Sequence, residues 1–173
     1  MLLFGIVKRG SDTIRRQEVA LTRQVDELTG LRNRRGFMTL ANAEFLLARR
    51  MKRGLALFYA DLDGMKTIND THGHAQGDNA LRDVADILRK TFRDSDIIAR
   101  LGGDEFAVLA LETRQQKPEQ IIQRLNERIS EHNRSQGRPY ALSLSIGAVH
   151  VDPEAGMTME SMLARADAEM YRV

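Results

Sequence analysis

The stretch Arg100–Leu109, RLGGDEFAVL, decides the fold prediction. Apolar residues precede it at 97–99, another apolar run follows from Phe106 to Leu111, and two adjacent glycines lie between the runs. Paired glycines between β-type runs are typical of a two-residue hairpin turn, because such turns need positive φ angles that a side chain disfavours. The sequence therefore predicts a β-hairpin with Asp104 and Glu105 just past its tip. These two acids point in different directions because side chains alternate along a strand.

A second acidic pair lies upstream in a similar setting. Leu55–Ala60 is a short apolar run that is typical of a buried strand, and Asp61–Gly64, DLDG, follows it. Each acidic pair on its own fits a solvated turn. Two strand ends that each carry two carboxylates can instead meet on neighbouring strands and bind a hard divalent cation such as Mg²⁺. An EF-hand fits less well, because Met65 and Lys66 stand where that loop needs an oxygen ligand and its glycine.

Composition narrows the class of protein. The chain of 173 residues carries a formal net charge of +2 with both signs spread along it, so a nucleic-acid-binding domain is disfavoured. The absence of cysteine excludes disulfides and thiolate metal sites and suits a reducing compartment. No apolar run is long enough to span a bilayer. We therefore expect a cytoplasmic domain, whose full-length protein could be tethered to a membrane.

The apolar start of the chain is interpreted as the end of something upstream. Met1–Val7 is too short for a membrane helix and lacks the basic start and the cleavage site of a signal peptide. We expect residues 1–10 to be the remnant of an upstream segment and residues 11–28 to form a helix with apolar residues near heptad spacing. A helix that packs on its own domain and a linker helix that pairs with its twin in a dimer both fit this pattern.

The order of helices and strands predicts an α+β fold with a mainly antiparallel sheet flanked by helices, because a hairpin interrupts the alternation of strands and helices. The second helix should bury an apolar face made by Phe37, Leu40, Ala41, Phe45, Leu46 and Ala48. Helices are expected over 11–28, 34–53, 66–71, 75–92, 118–134 and 158–171, and strands over 55–62, 97–101, 105–111 and 140–151.

Several motifs in order resemble those of the GGDEF domains, the bacterial diguanylate cyclases. The resemblance runs from about Asp26 to the last residue, and motifs in the right order are more specific than any one of them. It implies a fold related to the palm of nucleotide cyclases and polymerases, with 29–173 as the cyclase domain and 11–28 as a linker helix. The motifs are DELTGLRNRR at 26–35, DLDGMKTIND at 61–70, GHAQGD at 73–78, RLGGDEFAVL at 100–109, SIG at 145–147 and ADAEMY at 166–171.

The resemblance implies a two-metal site for phosphoryl transfer, with two Mg²⁺ or Mn²⁺ ions. By resemblance, Asp61 and Asp104 would be direct metal ligands together with the Leu62 carbonyl. Glu105 would lie beside the attacking hydroxyl, as a ligand or as the base. Asp63 is a weaker candidate for direct ligation.

The resemblance also implies a GTP site. Backbone N–H groups of Gly64 and Met65 would cradle phosphates at the start of a helical turn, and Lys66 would neutralise their charge. Asn69 and Asp78 would bind the base. A carboxylate accepts both the N1–H and N2–H donors of guanine, and leaving it unpaired opposite adenine would cost about 2–3 kcal/mol. Lys66 also fits an ordinary exposed lysine, and Asn69 and Asp78 also fit turn or helix-cap residues. By resemblance, Gly102 also belongs to the substrate-binding residues.

Two further residue pairs have the spacing of binding sites. Arg93 and Asp96 are spaced like the family's Arg-x-x-Asp inhibitory site, with Arg100 as an additional candidate, although a surface ion pair is the ordinary interpretation of such a pair. His72 and His74 have the spacing of a metal pair, but we interpret them as structural.

The implied function is condensation of two GTP into cyclic di-GMP by a homodimer, with GTP as substrate, cyclic di-GMP as product and inhibitor, no nucleic-acid partner and an upstream sensor domain. One alternative is an inactive GGDEF module that binds GTP or cyclic di-GMP as a sensor. Another is a cyclase with a different base preference, which Asp78 disfavours. The family motif continues beyond Tyr171 with a lysine and often an arginine, so a C-terminal truncation at Val173 is expected.

Overall fold

The computed structural model describes residues 24–111 and 117–171. Within these ranges, every helix is too short or too polar to cross a lipid bilayer. The elements in chain order are α1 (Arg34–Met51), β1 (Leu55–Leu62), α2 (Met65–His72), α3 (His74–Thr91), β2 (Ile97–Gly102), β3 (Glu105–Leu111), α4 (Pro118–Ser135), β4 (Leu144–Val151) and α5 (Met159–Met170).

The four strands form one sheet in the order β2-β3-β1-β4, and each neighbouring pair is antiparallel. This confirms the predicted antiparallel sheet flanked by helices. The central strand β1 is buried at every residue except Asp61, which is half-buried near the carboxyl end of the strand. An apolar strand of this kind is stable only when both faces of the sheet are covered.

Helices cover both faces because the side chains of β1 alternate between two apolar clusters. Ala56 and Phe58 belong to the cluster that includes buried residues of α3 and α4. Leu57 and Tyr59 belong to the cluster that includes α1 and α5. The sheet is therefore the middle layer of three.

Local sequence signals explain where the helices begin. The side chain of Asn33 accepts a hydrogen bond from the Gly36 N–H and caps α1. Pro118 occupies the first turn of α4, where its missing N–H costs no hydrogen bond. Thr158 caps α5 by accepting from the Ser161 N–H.

The hairpin turn lies one residue later than predicted. Gly102 still belongs to β2 and pairs with Glu105, so Gly103 and Asp104 form the turn. A register shift between Arg100 and Gly102 accounts for the displacement, and Gly103 has the positive φ of 40°. Asp104 therefore lies at the tip itself.

The last strand begins at Leu144, later than the predicted position 140. The side chain of Asn133 donates to the Leu142 carbonyl and accepts from the Leu142 N–H, at 2.9 and 2.8 Å. The Ser143 carbonyl accepts from the Asp63 N–H at 2.9 Å. These bonds hold the residues before Leu144 outside the strand ladder.

The N-terminal helix was predicted to reach Leu28, but residues 24–28 are not helical in the structure. Residues 11–23 of the prediction lie outside the described residues. Val25 forms a bridge with Arg32, and Asp26 closes a turn in which its carboxylate accepts from the Thr29 N–H and hydroxyl. Asp and Thr at this spacing favour such a turn over a helix end.

The predicted inner face of α1 is wrong at one residue. Phe37, Ala41 and Ala48 are buried, whereas the side chain of Leu46 is 64% exposed. Leu46 lies beside Leu47 on the outer side of the helix, because a helix of this length can bury only one stripe against the sheet.

Candidate active site

Acidic side chains meet where three strands end. Asp61 of β1 pairs with Glu105 of β3 on one side and with Ser145 of β4 on the other. Asp104 is tied to the same end, because its carbonyl accepts from the Leu62 N–H at 2.9 Å. The antiparallel register therefore brings together acids that are more than forty positions apart in the sequence.

The electrostatics of Asp61 reflect this crowding. Burial and the neighbouring charges of Asp104, Asp63, Glu105 and Asp167 raise the pKa of Asp61 to about 6. Like charges held close together disfavour ionisation, and a bound cation would reverse that effect. Asp167 reaches the cluster from α5. It lies in the motif at 166–171, whose sequence alone predicts no role for it at this site.

The donor set fits a cation that binds together with a nucleotide. In the two described ranges, no three His, Cys, Asp or Glu side chains are arranged to hold a metal ion by themselves. Mg²⁺ usually binds one or two carboxylates and completes its shell with water and substrate phosphates. Asp61, Asp104 and the Leu62 carbonyl could supply such a partial shell.

Asp63 has a different environment from Asp61. Its two carboxylate oxygens accept hydrogen bonds from the Ser143 hydroxyl at 2.7 Å and the Ser145 hydroxyl at 2.6 Å. Both carboxylate oxygens of Asp63 are therefore engaged within the protein. The two serines were missed as site residues, although they alternate with apolar residues at the start of β4, a spacing that places them on one face.

A helix start with free donors follows the acids. Gly64 has φ of +68°, precedes α2 and provides no side-chain cap. Its carbonyl accepts from the Ile68 N–H, the first bond of the helical ladder. The N–H groups of Met65 and Lys66 precede that bond and have no partner within the helix. An added Cβ at Gly64 would meet open space, so a ligand can approach the backbone there.

Asn69 carries an unsatisfied acceptor. Its Oδ1 is buried without a hydrogen-bond partner. Such atoms are rare in native proteins and indicate a missing donor. The backbone of Gly77 lies against this amide, because an added Cβ would collide with Asn69 Oδ1 and lie 2.9 Å from the Met65 methyl carbon. The half-buried Asp78 is the next residue of α3.

Arg100 connects the hairpin tip to the N-terminal turn. It donates to both oxygens of Asp26 at 3.1 and 3.2 Å, and to the Gly103 carbonyl from two nitrogens at 2.9 and 2.7 Å. Burial raises the pKa of Asp26, but hydrogen bonds from Thr29 and Arg100 outweigh it and hold that pKa below its usual value. This engagement argues against the suggested role of Arg100 beside Arg93 and Asp96.

Arg93 and Asp96 lie at the other end of the hairpin. They line a surface cavity of about 480 Å³ that Arg32 and Arg89 also line. The Asp96 carboxylate accepts from the Arg93 N–H at 2.8 Å, and the Asp96 N–H donates to the Arg93 carbonyl at 2.9 Å. Burial raises the pKa of Asp96, although Arg93 opposes the shift. The cavity therefore combines arginines with a carboxylate.

Comparisons with known proteins agree with this geometry. The family model for the diguanylate cyclase GGDEF domain matches residues 23–173. Diguanylate cyclase DgcP of Escherichia coli is 35% identical over 164 residues, which cover 93% of this chain and 48% of that protein. The cyclic di-GMP phosphodiesterase NbdA of Pseudomonas aeruginosa is 37% identical over 147 residues, which cover 85% of this chain and 19% of that protein.

Solved structures are similar as well. The GGDEF domain of PA1120 (TpbB or YfiN) from Pseudomonas aeruginosa superimposes with a TM-score of 0.76 and 35% identity, covering 86% of this chain and 87% of that one. Diguanylate cyclase SiaD from the same organism, solved with its activator SiaC, gives a TM-score of 0.77 and 28% identity, covering 98% and 66%. The chain spans half or less of the length of the curated relatives DgcP and NbdA.

Proposed function

Because this chain belongs to the GGDEF family of diguanylate cyclases, we propose that it condenses two molecules of GTP into cyclic di-GMP and releases two pyrophosphates. The observation that carries the proposal is the meeting of Asp61, Asp104 and Glu105 at one end of the sheet. Clustered carboxylates of this kind bind the divalent cations that phosphoryl transfer requires.

Each step has a residue suited to it. The 3′-oxygen of one GTP forms a bond to the α-phosphorus of the other, and the bond from that phosphorus to the pyrophosphate oxygen breaks. Glu105 would lie beside the attacking hydroxyl, either as the base that accepts its proton or as a metal ligand. Lys66 and the N–H groups after Gly64 hold the phosphates. Two Mg²⁺ or Mn²⁺ ions would be held by Asp61, Asp104 and the Leu62 carbonyl and would supply charge neutralisation.

Guanine selection is assigned to Asn69 and Asp78. The unpaired Oδ1 of Asn69 is supplied with a donor when a base with N–H groups binds beside it. The Asp78 carboxylate accepts the adjacent N1–H and N2–H of guanine, a donor pair that adenine lacks. Gly77 has no side chain and so leaves room for the Asn69 amide.

Two protomers are needed, because each site would hold one GTP and the reaction joins two. The protein is therefore proposed to work as a homodimer, whose geometry is set by the segment before residue 24 and by an upstream sensor domain. Cyclic di-GMP is proposed to bind the cavity at Arg93 and Asp96 as a product inhibitor, with arginine on its phosphates and carboxylate on guanine.

A second candidate is a GGDEF module that binds GTP or cyclic di-GMP without turnover. The relative NbdA favours it, since that protein is named for hydrolysis of cyclic di-GMP and only about a fifth of it matches this chain. The intact motif from Gly102 to Glu105 favours the cyclase instead.

The test measures GTP turnover with Mg²⁺ for the wild type and Glu105→Gln, each fused after the same dimeric coiled coil, with product chromatography. The cyclase predicts cyclic di-GMP from the wild type and at least about a hundredfold less from the variant. ATP serves as the control substrate and should give no product. GTP binding by the wild type without any product would contradict the cyclase and support the sensing module.

A further inference from the structure

Tyr59 lies beneath the acidic edge of the sheet. It precedes Asp61 by two residues on β1, so the two side chains share a face. In the ladder with β3, Tyr59 stands opposite Ala107 and Asp61 opposite Glu105. Tyr59 and Glu105 are therefore diagonal neighbours, a distance that an aromatic side chain can span.

The environment of Tyr59 gives its hydroxyl one function. The residue is 6% exposed and its ring packs in the cluster formed with α1 and α5. The hydroxyl faces the Glu105 side chain, with Asp167 and Arg34 as the other charged neighbours. A phenol is protonated at neutral pH, so toward a carboxylate it can act only as a donor.

We propose that Tyr59 is a positioning residue whose hydroxyl donates to the Glu105 carboxylate and holds it toward the attacking 3′-hydroxyl. Glu105 follows the turn at Gly103 and Asp104, and a glutamate has three rotatable side-chain bonds. A hydrogen bond to a carboxylate from a ring fixed in the core removes much of that freedom. The inference rests on the proposed cyclase activity.

The test compares Tyr59→Phe with the matched control Tyr140→Phe. Both changes remove one hydroxyl and keep the ring, but the Tyr140 hydroxyl is buried without a hydrogen-bond partner. In the dimerised cyclase, Tyr59→Phe should lower kcat about tenfold or more at unchanged KM for GTP, because base placement acts in the transition state. Tyr140→Phe should stay within about twofold of the wild type, as a site without a hydrogen bond allows.

Two results would overturn the inference while the wild type still makes cyclic di-GMP. One is a kcat for Tyr59→Phe within about twofold of the wild type, and the other is an equal loss in both phenylalanine variants. Crystal structures of wild type and Tyr59→Phe give a readout that does not need turnover. A changed Glu105 rotamer in the variant supports the inference, and an unchanged rotamer contradicts it even if the protein proves to be a sensing module.

Discussion

The clamp formed by Arg100 between Asp26 and Gly103 should contribute measurably to stability. Arg100 donates two hydrogen bonds to Asp26 and two to the Gly103 carbonyl, and the two charged side chains are only 15% and 21% exposed. Exposed ion pairs contribute about 0–1 kcal/mol, whereas hydrogen bonds to charged groups contribute about 1.5–3 kcal/mol. We therefore expect Arg100→Met to lower the free energy of unfolding by about 2–3 kcal/mol.

A double-mutant cycle separates the pair from its surroundings. With Asp26→Asn, Arg100→Met and the double variant, urea unfolding should give a coupling energy of about 1–2 kcal/mol. Arg82→Met is the matched control, because the hydrogen bond that Arg82 donates to Asn79 at 3.1 Å is exposed. A coupling energy of Asp26 and Arg100 below about 0.5 kcal/mol would refute the clamp as a stabilising contact.

The same pair predicts a pH dependence. The pKa of Asp26 is lowered in the folded protein from 3.8, because the Thr29 and Arg100 hydrogen bonds outweigh burial. A lowered folded pKa gives stability that is fully present above pH 3.8 and is lost as pH falls through the lower folded value. The stability difference between wild type and Asp26→Asn should therefore be constant near neutral pH and shrink in acid. A difference that grows in acid would contradict this assignment.

Three further predictions concern single positions. Gly147→Ala should lower the free energy of unfolding by about 3 kcal/mol or more in urea titrations, because the new Cβ would collide with the Ala166 carbonyl of α5, a backbone atom; a loss below about 1 kcal/mol would show that α5 can shift. Gly77→Ala should weaken GTP binding in calorimetry at least about tenfold with little change in melting temperature, because the flexible Asn69 amide yields; unchanged affinity would separate Asn69 from the base. Asp61→Asn should raise the melting temperature without metal, because the pKa of Asp61 is raised to about 6 and its ionised form costs stability at neutral pH; it should abolish turnover and any stabilisation by Mg²⁺, and a lower melting temperature would contradict the repulsion.

The sequence predicted the sheet well because its strands are short apolar runs bounded by glycine and acidic residues. The hairpin turn was predicted one residue too early, because paired glycines indicate a turn but do not show which residues occupy its two central positions. The register shift next to Arg100 decided that question. The predicted end of the N-terminal helix was also wrong, because the turn in which the Asp26 carboxylate accepts from the Thr29 N–H and hydroxyl prevails over heptad spacing.

Contacts between distant residues explain the site features that the sequence did not reveal. The serine pair on Asp63 joins residues about eighty positions apart, and its significance depends on the register of β4 with β1. In the sequence, Tyr59 is indistinguishable from the other buried residues of its strand, and only the strand register places it diagonal to Glu105. The position of Asp167 near the acidic cluster depends on how α5 packs against β4, and sequence periodicity does not specify that packing.

The short bridge at Arg32 has a consequence for association between molecules. The Arg32 N–H donates to the Ile98 carbonyl, and its carbonyl accepts from the Arg100 N–H, so this residue covers the outer side of β2. An edge strand with free backbone groups invites pairing with another chain. Removing the segment around Arg32 would uncover that edge and favour aggregation through β2, even in a protein whose catalytic residues were all intact.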